Sequence, residues 1–164
     1  MKYFGAEIER VVYKDCYYIG STDIDEQCKK IRSGLGICFY KDGTWYKGEW
    51  LNDKQEHFGI LYSVCGNVIY EGDWKASLKH GQGKSFNIEN AKLAYNGNWH
   101  EDLKQGMGVS YYPDGKKKYE GEFVKNLSEG KGELFHDNGK ISYSGDWVKD
   151  MKHGYGYSYD DCNL

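Results

Sequence analysis

The sequence predicts an all-β chain, an elongated single-layer twisted antiparallel β-meander of stacked hairpins. Three observations predict it. Tyr-x-Gly-x-Trp/Phe recurs five times, with 24, 25, 24 and 24 residues between successive leading tyrosines. Seven residues after the Trp or Phe comes Gly-x-Gly in four copies and His-x-Gly in one, and three residues after the last glycine of each stands an aromatic. Copies are joined by Asp42-Gly43, Asp114-Gly115 and Asn138-Gly139, where both turn residues accept positive φ and a tight hairpin is favoured.

Composition agrees. Of 164 residues, 39% are apolar and 29% charged, with 22 Gly, 16 Tyr, 5 Trp and one proline, Pro113. That suits short strands and turns around an aromatic rather than an aliphatic core, and it argues against disorder.

The elements follow in order. Residues 1–17 read as a cap or half repeat, with Gly5 and Ile8 its trace. Residues 18–159 hold six repeats. The first is eroded: Tyr18-Ile-Gly20-Ser-Thr22 runs through an insertion around DIDEQCKK to Gly34-Leu-Gly36 and Phe39. The five good copies begin at Tyr46, Tyr70, Tyr95, Tyr119 and Tyr143. Their second halves carry Gly81/Gly83, Gly106/Gly108, Gly130/Gly132 and Gly154/Gly156, while His57-Phe58-Gly59 replaces the first glycine in one copy. Residues 160–164 are a tail, and 1–164 reads as a single domain.

Register follows from parity, since opposite residues share a face. Pairing Trp74 with Gly81 across KASLKH sets Gly72 opposite Gly83. The Asn138-Gly139 turn sets Gly132 opposite Gly145. Both hairpin types predict one row of glycines crossing the sheet, over which Tyr and Trp rings fold and stack. The links from Gly36 to Gly48 and from Gly83 to Gly97 break parity, so a bulge or longer loop is expected at each. The opposite face, with Lys47, Glu49, Glu71, Asp73, Glu120, Glu122 and Asp146, reads as solvated apart from a row of Tyr62, Phe86, Tyr111, Phe135 and Tyr159. Eleven or twelve strands at about 4.8 Å would make a sheet of about 50 Å.

The repeating unit resembles the MORN repeat, whose units begin Tyr-x-Gly-x-Trp and continue with Gly-x-Gly, over about Tyr18 to Tyr159. The resemblance implies stacked hairpins in a grooved single layer. It also implies an intracellular scaffold of cytoskeletal, axonemal (ciliary) or membrane-associated assemblies, or an accessory module beside lipid-kinase or methyltransferase domains. His57, Phe123 and the first unit depart from the pattern. Fold alone assigns no function.

Function classes narrow accordingly. HGQGKS at His80–Ser85 lacks the earlier glycine of a phosphate loop, since Leu78 stands there, and is one instance of the repeat. A formal charge of −3 gives no electrostatic reason for a nucleic-acid partner. Cys16, Cys28, Cys38, Cys65 and Cys162 are odd in number and never spaced CxxC, so free thiols in a reducing, cytoplasmic setting are expected, without a disulfide scaffold or zinc site. No signal peptide or membrane-spanning run is read. His57, His80 and His153 occupy equivalent positions too far apart to share one ion. Carboxylates such as Glu71 and Asp73 read as solubilising charges. No catalytic residue, metal or cofactor is expected.

The favoured reading is a non-catalytic scaffold docking a helix or extended segment of a protein partner along an aromatic groove. Its candidate binding residues are Tyr46, Trp50, Tyr70, Trp74, Tyr95, Trp99, Tyr119, Phe123, Tyr143 and Trp147, which serve first as a substitute core. One alternative is a peripheral phosphoinositide or membrane binder using Lys116, Lys117 and Lys118, beside Lys125 and Lys131. Another is a regulatory subunit of an enzyme on a separate chain. The last strand, YGYSYD, reads as an open edge able to pair with another copy, guarded by Asp160 and Asp161.

Overall fold

The computed structural model describes residues 8–160, and every regular element there is a β-strand. The readings placed on Gly5, Asp161 and Cys162 lie outside those residues. The chain divides between Leu78 and Lys79 into two compact units, each taken by itself below.

The first unit holds β1 (Glu9–Val12), β2 (Cys16–Ile24), β3 (Lys30–Tyr40), β4 (Trp45–Leu51), β5 (Lys54–Tyr62) and β6 (Val68–Lys75). Each pairs antiparallel with the next, and β1 pairs Glu9 with Gly20. Gly20, Gly36, Gly48, Gly59 and Gly72 form one continuous row across the strands. The second unit holds β7 (Leu78–Phe86), β8 (Leu93–His100), β9 (Leu103–Tyr111), β10 (Lys117–Val124), β11 (Leu127–Phe135), β12 (Ile141–Val148) and β13 (Met151–Ser158). Its row runs Gly83, Gly97, Gly108, Gly121, Gly132, Gly145, Gly156. The all-β meander and the glycine rows are as the sequence predicts.

Why glycine stands there is visible in the rings. A Cβ on Gly59 would coincide with Tyr46 ring atoms, and the same holds at Gly36 with Tyr18, Gly108 with Tyr95, Gly132 with Tyr119 and Gly156 with Tyr143. Each tyrosine lies flat over its cross-strand glycine and donates its hydroxyl to the carbonyl three residues on: Tyr46 to Glu49 at 3.2 Å, Tyr95 to Asn98 at 3.0 Å, Tyr143 to Asp146 at 3.1 Å. Neighbouring rings meet edge to face rather than stacked. Tyr46 contacts Trp50 and Trp74 at 5.2 and 5.3 Å, and Tyr119 contacts Phe123 and Trp147 at 5.2 Å each. Such pairs contribute about 0.5–1.5 kcal/mol each beyond area burial, because the positive ring edge meets the negative ring face. Trp74, Trp99 and Trp147 also donate Nε1–H to the carbonyls of Gly59, Gly83 and Gly132. Trp50 Nε1 is buried without an acceptor.

Register inside each repeat corrects one expectation. Trp50 pairs with Gln55, Phe123 with Ser128 and Trp147 with Lys152, not with the residue seven positions on. The turns are two residues long, and both residues have positive φ: Asn52 and Asp53 at 50° and 65°, Lys149 and Asp150 at 49° and 65°. Because such a turn keeps the strands paired farther out, the two extra residues fall beside the glycine row as a bulge. His57 and Gly154 sit in it at φ 54°.

The links between repeats reverse another expectation. Gly36 to Gly48 pairs without any shift, from Gly34–Trp50 to Phe39–Trp45. It is the odd-spaced links that carry a shift, such as Leu61/Tyr62 and Leu134/Phe135. Links of both kinds close on a pair four residues apart, Tyr40–Thr44, Ser63–Asn67 and His136–Lys140, so an odd separation between the paired glycines leaves one residue over. The Gly83–Gly97 link has both a shift at Ser85/Phe86 and a longer connection, as predicted.

The second residue of each turn clasps the hairpin before it. Asp53, Asp102, Asn126 and Asp150 each donate N–H to the carbonyl, and accept at a side-chain oxygen from the N–H, of Arg32, Lys79, Lys104 and Ser128 respectively. These bonds couple adjacent repeats independently of the rings.

Cys16 and Cys38 form a disulfide, with Cα atoms 5.8 Å apart. This corrects the expectation of free thiols throughout. Cys16 lies opposite Tyr40 and Cys38 opposite Tyr18, so the cysteines are diagonal neighbours across β2 and β3, a proximity that a separation of 22 residues does not announce. Cys28 and Cys65 are free and exposed.

Candidate functional site

The ten predicted binding aromatics are the core of their units. Tyr46, Tyr70 and Tyr95 have no exposed surface, and Trp50, Trp74, Trp99, Tyr119, Phe123, Tyr143 and Trp147 are 3–7% exposed. The reading of a groove floored by these rings therefore does not describe their surroundings. Rings that lie flat on glycine and edge to face with each other leave almost no surface for a partner. Burial also pushes the phenols up, Tyr95 and Tyr119 to about 12.

Cations cover this ring face. In the first unit the Arg32 guanidinium lies 4.5 Å from the Trp50 ring centroid and 4.9 Å from Tyr13. It reaches Asp15 at 2.9 Å and Asp53 at 3.2 Å, and approaches both disulfide sulfurs at 3.4 Å. Asp15, Cys16 and Cys38 bring ligand-type atoms together, but two sulfurs bonded to each other offer no thiolate, and Arg32 fills the space with positive charge. In the second unit Lys79 covers Trp99, Lys104 covers Tyr95 and Phe123, and Lys152 covers Tyr143, at 4.7–5.7 Å.

The lysine triplet is dispersed. Lys116 pairs with Asp114 at 3.4 Å, and Lys117 with Glu120 at 2.7 Å. Lys118 falls at the register shift between Lys117 and Tyr119 and lines a recess with Lys104, Ser128 and Asp150. A continuous basic patch is not formed by these three.

The opposite face of the first unit departs furthest from its solvated reading. Tyr17, Phe39, Trp45 and Tyr62 lie opposite one another in succession and stack with small interplanar angles, Trp45 on Tyr62 at 3.7 Å. Beside this ladder Ile19, Ile37 and Ile60 line a depression of about 650 Å³ with Ile8, Leu35 and Phe58. Ile8 is 74%, Leu35 70% and Phe58 47% exposed. Lys47 and Glu49 are the charged residues lining it. The same face of the second unit is more heavily charged: Glu120, Lys131 and Glu133 line its depression together with Met107, Tyr155 and Tyr157. The middle residue of successive Gly-x-Gly segments is Leu35, Phe58 (after His57), Gln82, Met107, Lys131 and Tyr155, apolar in both copies of the first unit and alternately polar and apolar in the second.

The remaining candidates stand apart. His80 contacts His100 at 4.9 Å, whereas His153 lies in β13, opposite Asp146. At the C-terminal end, Tyr155, Tyr157 and Tyr159 are 90%, 74% and 48% exposed, and Tyr159 N–H is bonded to the Ser142 carbonyl at 2.9 Å.

Compared with known families, the chain matches the MORN repeat model in six stretches, residues 29–45, 46–63, 70–85, 95–117, 119–140 and 143–159.

Proposed function

Because the chain belongs to the MORN repeat family, a class of non-catalytic modules commonly used for protein or membrane interaction, we propose that it is a scaffold that docks an apolar segment of a protein partner on the first unit. One observation carries this reading. A face holding Ile8, Leu35, Phe58, Tyr17 and Phe39, all more than a third exposed, is a contiguous apolar surface of the kind that marks an interface. The core does not need it, since the tyrosines and tryptophans already fill the other side. Six strands about 4.8 Å apart and about 26 Å long offer roughly 750 Å², close to the share of one partner in a standard interface. A setting in a cytoskeletal, ciliary or membrane-associated assembly belongs to the same proposal.

The test is site-specific photo-crosslinking in cells, with a benzoylphenylalanine placed at Leu35, at Phe58, or at Lys84 in the second unit as control. Leu35 and Phe58 are expected to trap a common protein that Lys84 does not. The purified partner should then bind the Leu35→Glu/Phe58→Glu double variant at least about tenfold more weakly, with its melting temperature unchanged. Equal trapping from all three positions, or full binding by the double variant, would overturn the proposal.

A further inference from the structure

We propose that the recess between Lys104 and Lys118 on the ring face of the second unit is a binding site for a carboxylate side chain of an acidic peptide segment. The site occupies about 560 Å³ and is lined by Lys104, Lys118, Ser110, Ser128, Asn126 and Asp150, over a floor that includes Tyr119, Phe123 and Trp147. Three features point to an anion.

First, two lysines line this recess, Lys118 with its Nζ 5.9 Å from the Tyr112 ring centroid, and neither forms an ion pair among the described residues. The other two lysines of the triplet are paired with Asp114 and Glu120, so Lys104 and Lys118 differ from the surface lysines around them. Second, Lys104 is held in place. Its backbone N–H donates to Asn126 at 2.8 Å, its carbonyl accepts from Asn126 N–H at 3.0 Å, and its Nζ lies 4.8 Å from the Tyr95 ring centroid and 5.7 Å from Phe123. A cation already ordered and partly stripped of water loses little freedom when it takes an anion. Third, desolvation and the neighbouring Lys118 charge hold Lys104 below its ordinary pKa, with Asp150 opposing. An incoming carboxylate would relieve that repulsion. Asp150 reduces the excess charge to about one, and one of its oxygens is engaged by the Ser128 N–H at 2.7 Å, which fits a single carboxylate better than a multiply charged group.

A peptide fits better than a lipid surface. The recess is reached by an inserted side chain, whereas a flat anionic bilayer would meet the whole chain, whose formal charge is −3, with Lys116 and Lys117 already neutralised. Chemistry on the ring face of the second unit is independent of the apolar face of the first, so either proposal stands if the other fails.

The experiment is calorimetric titration of the full chain at low salt with a synthetic glutamate-rich decapeptide, and separately with inorganic phosphate and with vesicles containing phosphatidylserine and phosphoinositide. Peptide binding is expected, weakening as salt rises. Lys104→Gln and Lys118→Gln should each reduce affinity about tenfold, Lys104→Arg should retain it, and Lys84→Gln should change nothing. The Lys118 side chain is exposed, so Lys118→Gln decides the matter if Lys104→Gln fails to fold. No peptide binding, peptide binding untouched by both glutamine variants, or binding to vesicles alone would overturn the proposal.

Discussion

The ring of Tyr46 lies across Gly59 on the neighbouring strand, occupying the volume that a Cβ there would need. The contact is repeated along both units, so one added methyl should displace one ring and disturb its two edge-to-face neighbours. Gly59→Ala is expected to cost about 3 kcal/mol, the upper part of the range for overpacking. Gly66→Ala is the contrast: its Cβ meets nothing, and only its φ of 83° is unfavourable, at about 1 kcal/mol. Urea unfolding of both variants checks the difference.

His57 occupies, at φ 54°, the bulge position that Gly81, Gly106, Gly130 and Gly154 hold elsewhere with φ of 54–77°. A left-handed conformation strains any residue with a Cβ. His57→Gly should therefore stabilise the chain by about 0.5–1 kcal/mol, the strain relieved less the added freedom of glycine in the unfolded state. A lower melting temperature for the variant would show that the histidine side chain contributes more than its backbone costs.

The Cys16–Cys38 bond closes a loop of 22 residues, for which the chain-entropy account gives about 3 kcal/mol. Both cysteines are buried, while Cys28 and Cys65 are exposed. Alkylation of the native, unreduced chain should modify Cys28 and Cys65 and spare Cys16 and Cys38. Reduction should lower the denaturation midpoint, and both effects are read by mass spectrometry and a urea melt.

Alkali should unfold the protein earlier than its other groups require. Burial raises Tyr95, Tyr119 and Tyr40 to about 12, against about 10 in the unfolded chain. Between these values the unfolded state has lost protons that the folded state keeps, so stability falls as pH rises. The melting temperature is expected to be insensitive to these groups up to about pH 9.5 and to drop steadily above about 10. A flat profile to pH 11.5 would contradict the burial of the tyrosines.

The repeat made the fold legible. Tyrosine, glycine and tryptophan two residues apart share one face of a strand, and their recurrence required a row of glycines beneath rings, which Gly48–Gly59 and Gly132–Gly145 display. Parity predicted the shift after Ser85 but misassigned Gly36 to Gly48, because it was applied to the wrong reference spacing. The candidate site was read less well. Ten aromatics were recognised, but the sequence does not say whether a ring on a single sheet is covered. That depends on edge-to-face closure between successive repeats and on cations such as Lys104 lying above them.

By itself, then, the sequence determined the strand type, the repeat phase and the residues under the rings, all local or periodic properties of the chain. Only the tertiary structure decided that the rings are a sealed core, that Cys16 and Cys38 meet diagonally, that Leu35 and Phe58 join Ile19, Ile37 and Ile60 in one apolar face, and that Lys118 and Lys104 line one recess. Each of these joins residues whose proximity depends on register, bulges and side-chain direction, and a shift of one residue sends every side chain on a strand to the other face.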